Sequence, residues 1–427
     1  MPSNYNFTQD GLVYSFDDVF VPRDIFDTTA VGGPGNFTVS GQDIEDYFIT
    51  EYDLIDQYVG DELWAWGRNN SVQLGNNTTT TRSIPFTTFA GGTNWKQVSC
   101  GGEHTAAIKT DGTLWTWGQN YSGQLGINLT GTTTYRSTPV TTFAGGTNWK
   151  QVSCGGARTS AIKTDGTLWT WGAGSVGSLG NNANTLRSTP ITTFAGGNDW
   201  KQVSSGGSHT AAIKIDGTLW IWGNNAALGH NQSSNSFTPV TTFAGGINWE
   251  QVSSGNQHTA AVKTDGTLWT WGNGFSGPLG NTQTTNRSTP VTTFAGGTNW
   301  KQVFCALSHT AAIKTDGTLW NWGVGSYGKL GTNDATDRST PVTTFAGGTN
   351  WKQVSAGNGH TTAIKTDGTL WVWGQNNYGQ LGINLGSTNR STPVTTFAGG
   401  TNWKQVSGGE RYMATVFSGT TPDLPIS

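Results

Sequence analysis

Charge is scarce in this chain. Asp, Glu, Lys and Arg make up 11% of 427 residues and leave a net charge of −3, so there is no general field for nucleic acid or an anionic membrane surface. Cysteine is scarcer still: three residues, an odd number, exclude a disulfide framework. No apolar run approaches the roughly 20 residues of a membrane span, and the opening MPSNYNFTQDG has neither the basic start nor the apolar core of a secretory signal. The expectation is a soluble protein without membrane insertion, not exported by a cleaved signal. The short motifs of chemistry are missing too. There is no CxxC or HxxxH pair, no G-x-S-x-G and no phosphate-binding loop. No enzyme activity, cofactor or metal is expected.

What abounds is glycine, 62 residues, and tryptophan, 21, both spent on a repeat. The pentad Leu-Trp-x-Trp-Gly starts at Leu63, Leu114, Leu168, Leu219, Leu268, Leu319 and Leu370. A second marker, Trp before KQV or EQV, falls at Trp95, Trp149, Trp200, Trp249, Trp300, Trp351 and Trp403. Seven copies of both markers account for every tryptophan in the chain. Within a copy, WKQVS and TAAIK are short β-prone runs, and Asp-Gly in KTDGTLW predicts a two-residue hairpin with a type I′ turn. The pentad alternates, placing Trp115 and Trp117 on one face of a strand and Leu114 and Thr116 on the other. TPVTTFA supplies a fourth strand, opening beside Pro139, which suits an edge.

A twisted four-stranded sheet repeated radially is a propeller blade. Each Trp packed between blades removes about 150–250 Å² from water, roughly 4–6 kcal/mol as an upper bound. The first copy begins at its third strand, and the chain ends with only the first two, NWKQVSGG and RYMATVF. Those halves complete one blade. The predicted fold is all-β: a seven-bladed β-propeller of four-stranded blades over residues 61–417, closed by pairing of N- and C-terminal strands. A non-repeat N-terminal arm, residues 1–60, precedes it, and a short tail, 418–427, follows.

The phrase GG.HT.AIK.DGTLW.WG.N..GQLG, at Gly101 to Gly126 and loosely at Gly357 to Gly382, resembles the repeat of the regulator of chromosome condensation family. The resemblance covers residues 62–417 and implies a seven-bladed propeller. Family members include a guanine nucleotide exchange factor for a small GTPase, ubiquitin ligase modules, photoreceptors and a protease inhibitor, so fold alone leaves function open. The chain has neither the basic N-terminal tail of the chromatin-bound exchange factor nor an inserted wedge segment.

Five of seven copies place histidine before the threonine of GGxHT: His104, His209, His258, His309 and His360; Arg158 and Tyr412 occupy the other two positions. A ring of imidazoles could bind metal, but blade-related positions lie too far apart for bonds of roughly 2 Å. Arg and Tyr substitute for a polar tether better than for a ligand, and these histidines are expected to tie blade to blade. Cys100, Cys154 and Cys305 share one position with Ser205, Ser254, Ala356 and Gly408, as small buried groups would.

The copies differ most between pentad and RSTP marker, where loops on a rigid frame are the expected recognition surface. Tyr121, Phe275, Tyr327 and Tyr378 stand there as amphipathic contacts, suited to carbohydrate or a protein on a host surface. Residues 1–60 carry eleven acids against Arg23, a net of −10, leaving +7 for the rest. Phe16, Phe20, Ile25 and Phe26 could anchor this arm to a partner, and Ile44, Tyr47, Phe48, Ile55 and Tyr58 fall near helical spacing. The leader, with SFDD.F.P.D.F, resembles the openings of structural proteins in tailed phages of marine bacteria. That resemblance implies a non-enzymatic bacteriophage virion structural protein, a decoration, tail or fibre component. It would dock to other virion proteins through residues 1–60 and be located in the virion. The alternative is a cytoplasmic protein–protein interaction module or exchange factor-like propeller.

Overall fold

The WKQVS run forms the first strand of every repeat in the computed structural model: Trp95–Cys100, Trp149–Cys154, Trp200–Ser205, Trp249–Ser254, Trp300–Cys305, Trp351–Ala356 and Trp403–Gly408. In the first uninterrupted copy, His104–Lys109, Leu114–Gly118 and Arg136–Thr141 follow as second, third and fourth strands. The structure describes residues 60–89 and 92–419, with the backbone of two further strands, Tyr5–Gln9 and Leu12–Phe16. These two pair antiparallel from Tyr5↔Phe16 to Gln9↔Leu12, within a unit that spans Met1–Val59. The helix expected over residues 44–58 lies outside the described residues.

Gly60–Ser427 form the second unit, in which seven four-stranded antiparallel sheets each run first, second, third, fourth strand. Blade 1 is the composite one. Trp403–Gly408 and Tyr412–Ser418 pair with Asp61–Gly67 and Arg82–Thr87, with Asp61 opposite Ser418 and Gly67 opposite Tyr412. Blades 2 to 7 follow in chain order, and the two ends of the repeat array close the ring within one sheet.

The Asp-Gly hairpin differs from the type I′ turn expected. Gly112 takes φ +79°, but Thr110 and Asp111 are not among the residues with positive φ. Gly112 N–H donates to Lys109 O and Lys109 N–H to Thr113 O, both at 3.0 Å, so three residues form the loop: a type I turn followed by a left-handed glycine. The Asp111 carboxylate accepts from Thr113 N–H (2.9 Å) and Thr113 O–H (2.7 Å). That side-chain turn favours a right-handed Asp and passes the positive φ to glycine. The same two bonds hold the Asp111 carboxyl below its usual range.

The core lies between blades. Ala106, Ile108 and Leu114 of blade 2 pack on Trp149, Val152, Cys154 and Trp171 of blade 3. One blade's aliphatic face is thus covered by the next one's indole face, as the alternation of the pentad requires. Trp149 meets Trp169 and Trp171 edge to face at 6.3 and 6.2 Å, and Lys163 Nζ lies 4.8 and 4.7 Å from the Trp149 and Trp169 rings. The fourth strand ends at Thr141, earlier than expected. Pro139 sits in the irregularity between the Arg136 and Val140 pairings, where a missing N–H costs no ladder bond. The phenylalanine after six of the seven fourth strands points outward, 64–69% exposed in Phe89, Phe143, Phe194, Phe243, Phe294 and Phe345, whereas Phe397 is half-buried.

Candidate functional site

The histidines lie on the second strands, buried at the seams. His104 Nε2 is 3.0 Å from Thr159 Oγ1 in the next blade; the corresponding pairs are His209 with Thr259 (2.9 Å), His258 with Thr310 (3.0 Å) and His309 with Thr361 (2.8 Å). Each of these threonines donates its single proton back to a carbonyl of the preceding blade, as Thr159 does to Gln124 O at 2.8 Å. The imidazole is therefore the donor, carrying its proton on Nε2. At the composite blade His360 Nε2 meets Met413 Sδ instead, at 2.9 Å. Burial pushes the imidazoles down to about 3 for His104, His209 and His360 and about 4 for His258; His309 is lowered as well, with the Lys329 charge contributing.

The two exceptions reach across their seams by other means. Arg158 donates to Gly206 O (2.9 Å), His209 O (2.7 Å) and Thr210 Oγ1 (3.3 Å), while Tyr412 O–H donates to His104 O (2.5 Å). Glycine stands three residues before four of the five histidines, and a methyl on Gly255 would stand 2.6 Å from His258 Cε1; before His309 the position is Ala306. Among the described residues, no group of three or more His, Cys, Asp or Glu is placed to hold a metal ion. Cys100, Cys154 and Cys305 are free and buried, their thiols pushed up to about 12 by desolvation.

A second belt escaped the reading of the sequence. The glutamine after each WK or WE is a clamp on the next blade. Gln251 Oε1 accepts from Val303 N–H and its Nε2 donates to Val303 O, both at 2.8 Å; Gln97 holds Val152, and Gln405 holds Val98, in the same two-way manner. A primary amide carries one donor and one acceptor side by side, so it extends a strand's pairing across the seam. Serine adds a bond at most seams, as Ser253 Oγ does to Cys305 N–H at 2.8 Å. Phe304 occupies that serine position in blade 6 and has no hydroxyl for Ala356 N–H. These glutamines and serines, with Phe304, line a central channel of about 230 Å³. The signal was available: a glutamine repeated in all seven copies inside a β-prone run.

The loop aromatics divide. Tyr121, Phe275 and Tyr327 are 64%, 77% and 48% exposed. Tyr378 is half-buried and engaged: Arg68 and Arg411 lie 5.6 and 5.3 Å from its ring, and Arg411 Nη1 donates to its hydroxyl at 3.2 Å. It braces blade 7 against the composite blade. Phe16 ends a described strand, though its side chain is not described; Phe20, Ile25 and Phe26 lie outside the described residues. Among the described residues no helix is long and apolar enough to cross a membrane.

Comparison with known proteins agrees with this geometry. The model of the RCC1-like domain matches residues 129–421, and models of the regulator of chromosome condensation (RCC1) repeat match 61–108 and 95–124. The chain is similar to the Ultraviolet-B receptor UVR8 of Arabidopsis thaliana, 33% identical over 331 residues, 76% of this chain and 63% of that protein. It is also 27% identical over 323 residues to the X-linked retinitis pigmentosa GTPase regulator homolog of Caenorhabditis elegans, covering 70% of this chain and 21% of that one. The chain thus spans less than two thirds of the length of these curated relatives. Among solved structures, human WBSCR16 (TM-score 0.73, 21% identity, 84% of this chain and all of that one) shares the fold. So does Prp20p of Saccharomyces cerevisiae (TM-score 0.73, 18% identity, 85% and 92%), whose structure is titled with its binding to Gsp1p and histones.

Proposed function

The chain belongs to the regulator of chromosome condensation (RCC1) repeat family, and from that premise we propose that it is a non-catalytic scaffold recognising a partner through the loops between third and fourth strands. One observation carries this reading. The repeated polar side chains, His, Gln and Ser, are spent between blades, whereas the loops between third and fourth strands differ in sequence from copy to copy and leave Tyr121, Phe275 and Tyr327 exposed. Relatives described as a receptor and as a GTPase regulator homolog fit a propeller used for recognition. The test exchanges loops 119–135 and 375–389 for that of blade 3 and compares chemical cross-linking to partners in the native extract. Retained cross-links with an unchanged melt would overturn the loop assignment. Acceleration of GDP release from a small GTPase would make the chain an exchange factor instead.

Attachment to a virion through residues 1–60 is a second reading, favoured by the acidic leader and its resemblance to phage structural proteins. Purified particles should retain full-length protein and release a form starting at Gly60. Equal retention of both would remove the leader as anchor.

A further inference from the structure

Blade 4 departs from the repeat in one loop. Thirteen positions separate its third-strand Gly223 from Ser236, against fifteen between Gly172 and Arg187 in blade 3 and between Gly272 and Arg287 in blade 5. NNAALG stands where blade 3 has AGSVGSLG. Beside this shortened loop, toward the fourth strand of blade 5, lies a cavity of about 670 Å³. Its lining is free of carboxylate: Asn225, Ala226, Gln232 and Ser233 from blade 4 face Asn286, Arg287 and Ser288 from blade 5. The walls are joined where Asn231 N–H donates to Ser288 O at 3.0 Å and Ser288 O–H donates to Asn231 Oδ1 at 3.4 Å.

Of the six arginines that open fourth strands, Arg82, Arg136, Arg187, Arg287, Arg338 and Arg390, only Arg338 is in an ion pair among the described residues. In blade 6, Arg338 is paired at 2.6 Å with Asp334, four residues before it, and Asp337 precedes it directly. In blade 5 both acids are amides. Arg287 Nη2 donates to neutral Gln283 at 2.7 Å, and Asn286 uses its oxygen on Gly274 N–H at 3.1 Å, leaving its NH₂ free. Among the described residues, no ion pair forms at Arg287.

We infer that the cleft between blades 4 and 5 binds an acidic oligosaccharide. Arg287 takes a sugar carboxylate, and amides and hydroxyls of Gln232, Ser233 and Asn286 take the ring hydroxyls. A volume of this size holds two or three sugar residues, and side-chain amides pair a hydroxyl as donor and acceptor together. A lone guanidinium suits a carboxylate, whereas phosphate sites gather several cations or backbone N–H groups.

The inference rests on the reading that these loops recognise a ligand, but it fails separately, because only blades 4 and 5 are altered in its test. The full chain is run through native gels containing polygalacturonate or dextran, and tetragalacturonate is titrated by calorimetry. Retardation by polygalacturonate and not dextran is expected. Gln283→Asp, which recreates the blade 6 ion pair, should weaken tetragalacturonate binding at least tenfold with an unchanged melting temperature; Asp334→Asn in blade 6 should not. Absence of binding overturns the inference, as does binding that Gln283→Asp leaves intact. Equal retardation by dextran would make the site one for neutral sugar, and equally tight binding of oligoglutamate at this cleft would make it a peptide site; either refutes the assignment.

Discussion

His209 joins two blades with a single proton. Its Nε2–H reaches Thr259 Oγ1, and Thr259 turns its own proton to Ala227 O, a carbonyl that also receives Trp271 Nε1–H at 2.9 Å. Charging the imidazole would place a cation in a site closed to water. An unfolded chain has no such restriction and titrates near 6.5. Folded pKa values near 3 to 4 lie below that value, so the stability associated with neutral imidazoles is complete above pH 6.5. It is lost as pH falls toward 4, by about 1.4 kcal/mol per pH unit for each histidine once the unfolded chain is protonated. Thermal melts from pH 7 to 4 should show a steep decline, flattened in a His209→Gln, His258→Gln variant, which keeps an N–H donor without the charge; an unflattened slope would refute the origin. At neutral pH, His209→Ala should cost about 1–3 kcal/mol in denaturant melts. EDTA should leave both proteins unchanged, and metal loss accompanied by unfolding would assign these residues a ligand role.

At the scale of the element, the GQLG run explains itself through its neighbour. Gly280 takes φ +63°, and a methyl there would stand 2.7 Å from Trp322 Nε1 of the next blade. The same indole donates to Pro278 O at 2.9 Å, so loop and third strand of adjacent blades lock together. Gly280→Ala therefore meets both a left-handed backbone and a filled space, and should cost about 2 kcal/mol or more, read in urea melts. A loss below 0.5 kcal/mol would show that the loop yields freely. The hairpins show how local chemistry can be misjudged. Asp-Gly announced a turn correctly, but its type followed from Thr113, whose two bonds to Asp111 keep that residue out of the left-handed region.

The whole molecule depends on the composite blade. Trp64 and Trp66 pack with Trp403, Met413 and Phe417, and Lys404 pairs with Asp61, so the last strands cover indoles that enter the fold near residue 60. Removing residues 401–427 strips two strands from that sheet, breaks the Gln405 clamp on Val98 and uncovers an unpaired edge. The truncated chain should aggregate or be cut rapidly by protease, with indole fluorescence shifted to the red. A shortened protein that melts with the parent would mean that the ring does not depend on closure.

Blade number, strand count and the site of closure were legible in the sequence, because each repeat must bury two sheet faces and says so through period-two alternation and recurring tryptophan. The exchange of His for Arg and Tyr marked a polar position by the same logic of comparison between copies. What the tertiary structure alone decided concerns atoms of different blades. The Gln97 amide finds Val152 fifty-five residues away, and Tyr378, a surface aromatic by its sequence, is taken up by Arg68 and Arg411 where the two ends of the repeat array meet. The repeat reveals which residues recur on a strand. Which backbone groups those residues then satisfy depends on the spacing and rotation of neighbouring sheets, which closure of the ring imposes.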